Sequence, residues 1–330
     1  MPSILPLVQL GINYITYIFA SQKINWSFVN ETDSTPFLPE AQRNILLENK
    51  TLLTFSDGNA GILAPSFFFL PAYLNLDTQE KNTEYYSQLS DAVASENWSE
   101  LENRYQSELK HIREFYPNFL TEIDNSKPGV YLADIVKDIG MVFMTNFTEY
   151  TTKHWEQEKA YLERIAKLIP SLWEGVDIIS IWEKKTGLCF SAENYKILLV
   201  SAMQNGPNAN SLAYDTNTFS AGDGADMLYY YKHFISHEIG THLVLPYTVS
   251  KMTNPDTVYQ AYIAMENLAA YINNQLFQFT EYSIFDEEYY HYNYFQTLYT
   301  KLQKKHPNSD VIMLFEMALK QAVSDGISNK

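Results

Sequence analysis

Apolar side chains recur at three- and four-residue steps along much of this chain, which is the spacing of amphipathic helices. In residues 1–22 the repeat includes Ile12, Ile15 and Phe19, and it predicts a helix that packs into the core. Residues 58–76 are also apolar, but prolines interrupt them, so we expect a buried irregular segment there. The helical periodicity predicts further helices over residues 98–124, 131–150, 153–168 and 171–184.

The pattern changes near residue 195, where short apolar runs rich in strand-forming residues replace the helical repeat. We interpret residues 195–200 and 211–219 as two antiparallel strands separated by a turn at 205–208. Helical patterns then resume. They predict a helix over 226–244 that ends at Pro246, a second over about 254–275, and two more within 283–326.

These elements predict an α+β fold that is mostly α-helical, with a small antiparallel sheet beside the helix of residues 226–244. The chain has 12 glycines and 13 prolines among 330 residues, too few for a turn-rich all-β protein. The break Lys127-Pro128-Gly129 suggests an N-terminal helical region, 1–128, packed on a core formed by 129–330. The two regions are also compatible with one continuous domain.

Composition and charge narrow the function classes. Hydrophobic residues make up 46% of the chain and charged residues 19%, as expected for a globular protein. The net charge of −16 disfavours nucleic acids and anionic membrane surfaces as partners. One cysteine, Cys189, permits neither an internal disulfide nor a cysteine-rich metal site. Residues 1–22 lack a basic leading region, so no export signal or spanning helix is expected; the compartment stays open, since a leader could have been removed.

Three of the seven histidines fall within ten residues, and this cluster is the strongest chemical signal in the sequence. His233 and His237 are four residues apart, so both lie on one face of a regular helix and could share a metal ion. His237 and His242, with Glu238 after the first, form the pattern HExxxH. On a regular helix, five steps place two side chains about 140° apart. The second pair therefore predicts a π-type turn between 237 and 242, where Gly240 would supply backbone freedom.

A third candidate ligand lies downstream. Glu266 is the only charged residue between Asp256 and Glu281, and its helical neighbours are mainly apolar. An unpaired carboxylate on such a surface is costly, and a metal ion would neutralise it. Hydrolytic zinc sites take three protein ligands and leave one position for water. Glu266 is therefore a candidate for the third ligand.

The combination of HExxxH with a Glu-Asn pair about two dozen residues later resembles the gluzincin metallopeptidases. The lengthened motif is similar to that of the dipeptidyl peptidase III family, and the whole resembles the minimal gluzincin core of uncharacterised bacterial zinc peptidases. The resemblance covers roughly residues 195–275. It implies a zincin-like core with the small sheet beside the active helix.

The resemblance also implies a ligand set and a reaction. His237, His242 and Glu266 would bind one Zn²⁺ per chain, and Glu238 would act as the general base on zinc-bound water in peptide-bond hydrolysis. The partner would be a peptide or protein substrate. Gluzincins use a downstream His or Tyr to stabilise the oxyanion, for which His291 and Tyr292 are candidates; substrate-binding residues and oligomeric state are left open.

Other interpretations of the same residues stay open. The histidines of the motif could be core or capping residues, His233 a surface or supporting residue, and Glu266 a buried carboxylate paired with a Lys or Tyr. The chain would then be a non-catalytic binding protein on a peptidase scaffold. A third possibility keeps the metal but hydrolyses another bond, as a metal-dependent amidase would.

Overall fold

The computed structural model describes residues 2–24, 37–56, 59–115, 119–120, 130–203, 209–222, 224–254, 256–277 and 287–328. The chain is mostly helical with one small mixed sheet, which confirms the predicted α+β class. It divides into two compact units. Unit 1 contains residues 1–3, 171–195 and 224–330, and unit 2 contains 4–170 and 196–223. The predicted break at 127–129 lies outside the described residues, so the division at residue 128 stays a prediction.

Unit 2 is built around aromatic side chains carried by packed helices. Phe67, Tyr86 and Phe143 form its centre, with ring centroids 5.0–5.8 Å apart, and all three are fully buried. Such rings bury large apolar areas and therefore dominate the stability of the unit. Its described helices are α1 (Leu10–Ser21), α2 (Glu40–Glu48), α3 (Lys50–Leu53), α4 (Leu70–Leu74), α5 (Gln79–Ser95), α6 (Ser99–Arg104), α7 (Gln106–Phe115), α8 (Val130–Tyr150) and α9 (Glu156–Leu168).

Two single turns of π-helix interrupt this pattern. One, Pro65–Phe69, leads into α4 and occupies the segment expected to be irregular. The other, Thr151–Trp155, joins α8 to α9. The helices predicted over 131–150 and 153–168 are therefore continuous through this π turn. Each π turn inserts one residue into the helical repeat, which shifts the buried face along the helix.

The sheets are formed by β1 (Ser3–Leu7), β2 (Phe55–Ser56), β3 (Asn59–Ala60), β4 (Asn194–Val200), β5 (Ala209–Ala213) and β6 (Thr216–Ser220). The strand order in the main sheet is β1-β4-β6-β5, and β2 pairs with β3 separately. Strand β4 confirms the strand predicted over 195–200. Strand β1 was not predicted, because residues 1–22 were assigned to a single helix.

The predicted antiparallel pairing of residues 195–200 with 211–219 is wrong. The second segment is a hairpin: β5 pairs antiparallel with β6, and β6 pairs parallel with β4 in the register Lys196–Thr216. Strand β6 is buried at every position. Both faces of β6 are covered, so polar and apolar residues do not alternate along it. Its mainly polar sequence therefore gave no signal that it is a central strand.

The hairpin turn is fixed by Asp215. Its carboxylate lies 2.8 Å from Lys196 Nζ and 3.0 Å from His111 Nε2, and it accepts a hydrogen bond from Thr216 Oγ1 at 2.8 Å. Burial alone would raise the pKa of Asp215, but the hydrogen bonds from Lys196, His111 and Thr216 outweigh burial and hold that pKa below its usual 3.8. The carboxylate is therefore stabilised in its charged form.

Unit 1 is a group of helices around one central helix. It contains α10 (Ile178–Thr186), α11 (Ala225–Thr248), α12 (Val258–Phe277), α13 (Glu287–Tyr290), α14 (Tyr292–Lys305) and α15 (Val311–Ser324). Helix α12 packs against α11, α14 and α15. Asp177 caps the start of α10 through Ser180 N, and Gly187 ends that helix with φ +74°. Asp310 caps α15 through Met313 N at 2.7 Å.

Helix α11 runs past Pro246, where the sequence predicted its end, to Thr248. A proline in the last turn breaks only one intrahelical hydrogen bond, so the helix can pass it. Among the described residues, no helix has the length and apolar character needed to cross a membrane.

We expect Asp215→Asn to lower the free energy of unfolding by about 1–3 kcal/mol at pH 7, because Lys196 and His111 then face a neutral amide. Urea unfolding measures the change. The matched control is Asp77→Asn, which removes an exposed i,i+4 pair with Lys81 and should cost less than about 1 kcal/mol.

The pH dependence gives a second test of the same carboxylate. Because the pKa of Asp215 is depressed on folding, its stabilisation is complete above the unfolded pKa near 3.8 and is lost as the pH falls through the folded pKa. The difference between wild type and Asp215→Asn should therefore shrink below about pH 4. A difference that stays constant down to pH 2 would contradict this role.

Candidate functional site

Two of the predicted site residues meet where α11 packs on α12. His237 on α11 and Glu266 on α12 approach with Nε2 and Oε2 3.1 Å apart. Their side chains are 3% and 15% exposed. The two helices pack on each other, and each polar residue stands among buried apolar residues, such as Ile263 and Ala270 on α12.

The carboxylate sets the charge state of the imidazole. Burial by itself lowers the pKa of His237, but the hydrogen bond and negative charge of Glu266, with the charge of Glu238, raise it above its usual 6.5. The pair therefore resembles a hydrogen-bonded ion pair. The sequence left a Lys or a Tyr as alternative partners of the Glu266 carboxylate. In the structure its hydrogen-bond partner is His237.

The spacing of the pair is also compatible with a shared metal ion. Zinc binds imidazole nitrogen and carboxylate oxygen at about 2.0–2.2 Å in tetrahedral geometry, so two such ligand atoms lie about 3.3 Å apart. The observed separation of Nε2 and Oε2 is 3.1 Å. Both residues therefore fit as zinc ligands with a shift of a few tenths of an ångström.

His242 is not part of this pair. It is 1% exposed, and its ring packs edge-on against Tyr195 with centroids 5.2 Å apart. Helix α11 is α-helical from Ala225 to Thr248, so the π-type turn predicted between 237 and 242 is wrong. Within the described part of the chain, no three His, Cys, Asp or Glu side chains are grouped closely enough to hold a metal ion.

Trp182 packs closely against α11 near the histidines. It is fully buried, its Nε1 donates to Ser236 Oγ at 2.8 Å, and its ring lies against Gly240. A Cβ atom at Gly240 would be 2.3 Å from Trp182 Cη2. Gly240 therefore gives room to the indole and does not serve to widen the helix.

His233, the rival partner of His237, lies one turn earlier on α11. It is 8% exposed, and its ring packs edge-on against Tyr229 and Phe277 with centroids 4.5 and 5.5 Å away. Burial, with the positive charge of Lys232, lowers the pKa of His233 to about 4. The neutral imidazole packs as an aromatic ring beside the site.

Glu238 is half-buried and follows His237 directly. Its negative charge contributes to the raised pKa of His237. Thr241 Oγ1 donates to the backbone oxygen of Glu238 at 2.9 Å. Glu238 therefore adds negative charge to the surroundings of the His237–Glu266 pair.

The two candidates for oxyanion stabilisation have other contacts. His291 has φ +49° and its Nε2 lies 3.3 Å from the Ser328 carbonyl oxygen. Tyr292 Oη accepts a hydrogen bond from Asn274 Nδ2 at 2.9 Å. Neither contact involves Glu266 or His237.

Sequence reasoning missed the phenols next to Glu266. Burial raises the pKa of Tyr262 well above its usual 10, and the charge of Glu266 adds to that increase, as does the neighbouring Tyr290. Tyr262 and Glu266 are four residues apart on α12 and share a face, which is the signal that could have identified Tyr262.

We expect Gly240→Ala to destabilise the protein by about 1–3 kcal/mol, since the new methyl group would overlap the Trp182 ring. Urea unfolding provides the measurement. The control is Gly140→Ala on α8, where the nearest heavy atom, Tyr86 Cβ, is 3.4 Å away. That change should be neutral or stabilising by up to about 1 kcal/mol. Equal effects of the two substitutions would contradict the proposed contact.

Comparison of the chain with protein-family models, with curated proteins and with solved structures finds no match. The function must therefore be argued from the side chains of the site.

Proposed function

We propose that this protein is a zinc-dependent hydrolase of peptide bonds, in which His237, His242 and Glu266 hold the ion and Glu238 is the general base. The observation that carries the proposal is the buried 3.1 Å contact between His237 and Glu266. These are ligand types that zinc prefers, and they come from two packed helices. Glu238 follows His237 directly in the sequence, which supports its role as the base.

Each of the four residues would have a separate role in the reaction. Bound zinc would polarise the scissile carbonyl and make water more acidic. His237 and Glu266 would provide two of the ligands. Glu238 would accept the proton of the attacking water and deliver it to the leaving amine. Because its side chain leaves α11 about 100° away from that of His237, it can border the ion without binding it.

Two histidines are candidates for the third ligand beside His237 and Glu266. His242 is implied by the HExxxH resemblance, and it would have to leave its packing against Tyr195. His233 lies four residues before His237, so the regular helix needs no change to bring it to the same face. Its neutral imidazole is the form that binds metal.

A second candidate function has support from the same contact. The hydrogen bond between His237 Nε2 and Glu266 Oε2 gives these two facing atoms a partner without an ion. This favours a non-catalytic binding protein in which the pair serves only to join α11 to α12. Metal content distinguishes this candidate from the hydrolase.

We expect one zinc ion per purified chain, and strong loss of zinc in His237→Ala, His242→Ala and Glu266→Ala. Elemental analysis after dialysis measures the content, and circular dichroism checks the fold. His111→Ala in unit 2 is the control and should keep its zinc.

Other outcomes would discriminate among the alternatives. Loss of zinc in His233→Ala, with normal zinc in His242→Ala, would assign the site to the rival pair. Unchanged zinc in both His237→Ala and Glu266→Ala would reject the site. A chain that binds no zinc after supplementation would favour the binding protein.

We expect Glu238→Gln to keep its zinc and its fold while losing ~10²–10⁴ in turnover, because the amide cannot accept the proton of water. Cleavage is measured on a peptide selected from a mixed library, at matched zinc content. The control is Glu316→Gln, an exposed carboxylate paired with Lys251, which should leave the rate unchanged. Equal rates for wild type and Glu238→Gln would remove Glu238 from the mechanism.

A further inference from the structure

A cleft in unit 1 is lined by residues other than those of the proposed site. It has a volume of about 400 Å³ and lies between the end of α10, the C-terminal half of α12 and the connection from α14 to α15. That volume is within the range of small-molecule sites. The described residues that line the cleft do not include His237, Glu238 or Glu266. A ligand of this cleft would therefore bind independently of the proposed reaction.

Two opposite charges line the cleft without pairing with each other. Lys185 comes from the last turn of α10, and Asp310 is the N-cap of α15. Within the described part of the chain, neither side chain forms an ion pair with the other or with a third residue. Asp310 Oδ1 accepts the hydrogen bond of Met313 N at 2.7 Å, and Oδ2 accepts none from those residues. The cleft thus offers one unpaired ammonium and one unpaired carboxylate oxygen.

Uncharged polar side chains add hydrogen-bonding groups to the cleft. Gln303 lies in the last turn of α14 and Ser309 directly precedes Asp310. Both line the cleft and are half-buried. Among the described residues, neither side chain has a hydrogen-bond partner. Because these groups are partly removed from water, a ligand that hydrogen-bonds to them replaces contacts that the fold has taken away.

Another part of the wall is apolar. Ile272, Val311 and Leu314 line the cleft and are 2%, 9% and 2% exposed. They come from α12 and α15, which pack on each other. An apolar group of a ligand that lies against them leaves water, which is favourable. The cleft therefore suits a molecule that carries two polar ends and one apolar group.

The two charges discriminate among classes of ligand. A phosphate or other simple anion would be attracted by Lys185 and repelled by Asp310, and a simple amine would meet the opposite combination. A neutral molecule such as a sugar would displace water from both charges without supplying an ionic partner. A zwitterion gives each charge a charge-assisted hydrogen bond. The ammonium and carboxylate of an amino acid or a dipeptide form such a pair.

We propose that this cleft binds a small zwitterion with an apolar side chain, which is a free α-amino acid or a dipeptide. Lys185 binds its carboxylate, Asp310 binds its ammonium, and its side chain lies against Ile272, Val311 and Leu314. The inference goes beyond the proposed function and does not depend on it, because it uses neither the His237–Glu266 contact nor a metal ion.

Titration calorimetry on the purified full-length protein tests the requirement for both charges. The zwitterions are L-leucine and L-leucyl-L-leucine. Each is compared with its N-acetylated form, which has only the carboxylate, and with its amide, which has only the ammonium. The dipeptide series is titrated into Glu238→Gln protein, so that peptidase activity cannot supply free leucine. At least one zwitterion should bind ~5–10-fold more tightly than both of its analogues, and its glycine counterpart should bind ~10-fold more weakly.

Two substitutions remove one charge each and should produce opposite patterns. Lys185→Gln should weaken binding of the zwitterion and of its N-acetylated form ~5–10-fold, while the affinity for the amide stays unchanged. Asp310→Asn should weaken binding of the zwitterion and of the amide, while the affinity for the N-acetylated form stays unchanged. Asparagine is as good an N-cap as aspartate, so the start of α15 is preserved. A general loss of structure would weaken all three ligands together.

Matched controls come from the same unit. Lys184→Gln removes the neighbouring charge on α10, and Asp177→Asn makes the same substitution at the N-cap of that helix. Neither residue is among the described ones that line the cleft. Both variants should bind the zwitterion with the affinity of wild type.

The length of the preferred zwitterion identifies the source of the ligand. Tighter binding of L-leucine assigns the cleft to free amino acids, and tighter binding of L-leucyl-L-leucine assigns it to dipeptides. Equal affinities for the zwitterions and their singly charged forms would overturn the inference. The same holds for unchanged affinity in both Lys185→Gln and Asp310→Asn, and for no measurable binding of either zwitterion. Zinc content and cleavage, which test the proposed function, do not enter any of these results.

Discussion

Two polar side chains buried between packed helices impose the main constraint on unit 1. An isolated charge or hydrogen-bonding group in that position would cost several kcal/mol, so His237 and Glu266 must satisfy each other or a shared ion. Their 3.1 Å contact meets this requirement. It also requires a defined register between α11 and α12, because a shift of one residue on either helix would turn its polar side chain by about 100°.

Trp182 also restrains the rotation of α11. Its hydrogen bond to Ser236 and its contact with Gly240 hold the indole against the helix on both sides of His237 in sequence. The indole can approach so closely only because residue 240 has no side chain. Consequently one residue, Gly240, couples the packing of α10 to the direction in which His237 projects.

The sequence predicted the helical class and the strand at 195–200. It also named His237 and Glu266 as ligands of one ion, which stays a prediction, while the structure shows the two side chains in direct contact. Periodicity identified the long helices, and Glu266 was identified as the only charge on an apolar stretch. Other features left no local signal. The π turn at Thr151–Trp155 depends on packing, and β6 is central although its sequence is polar. The proximity of Tyr290 to Tyr262 is a contact between residues far apart in sequence, which periodicity cannot predict.

On the regular helix α11, the five-residue spacing of HExxxH directs its two histidines to different sides of the helix. Two side chains about 140° apart on one helix face different neighbours. Here His237 faces α12 and is hydrogen-bonded to Glu266, whereas the His242 ring packs against Tyr195. Any ion held by both histidines therefore has to overcome the contacts that Trp182 and Tyr195 make with α11, while an ion held by His237 and Glu266 replaces only one hydrogen bond.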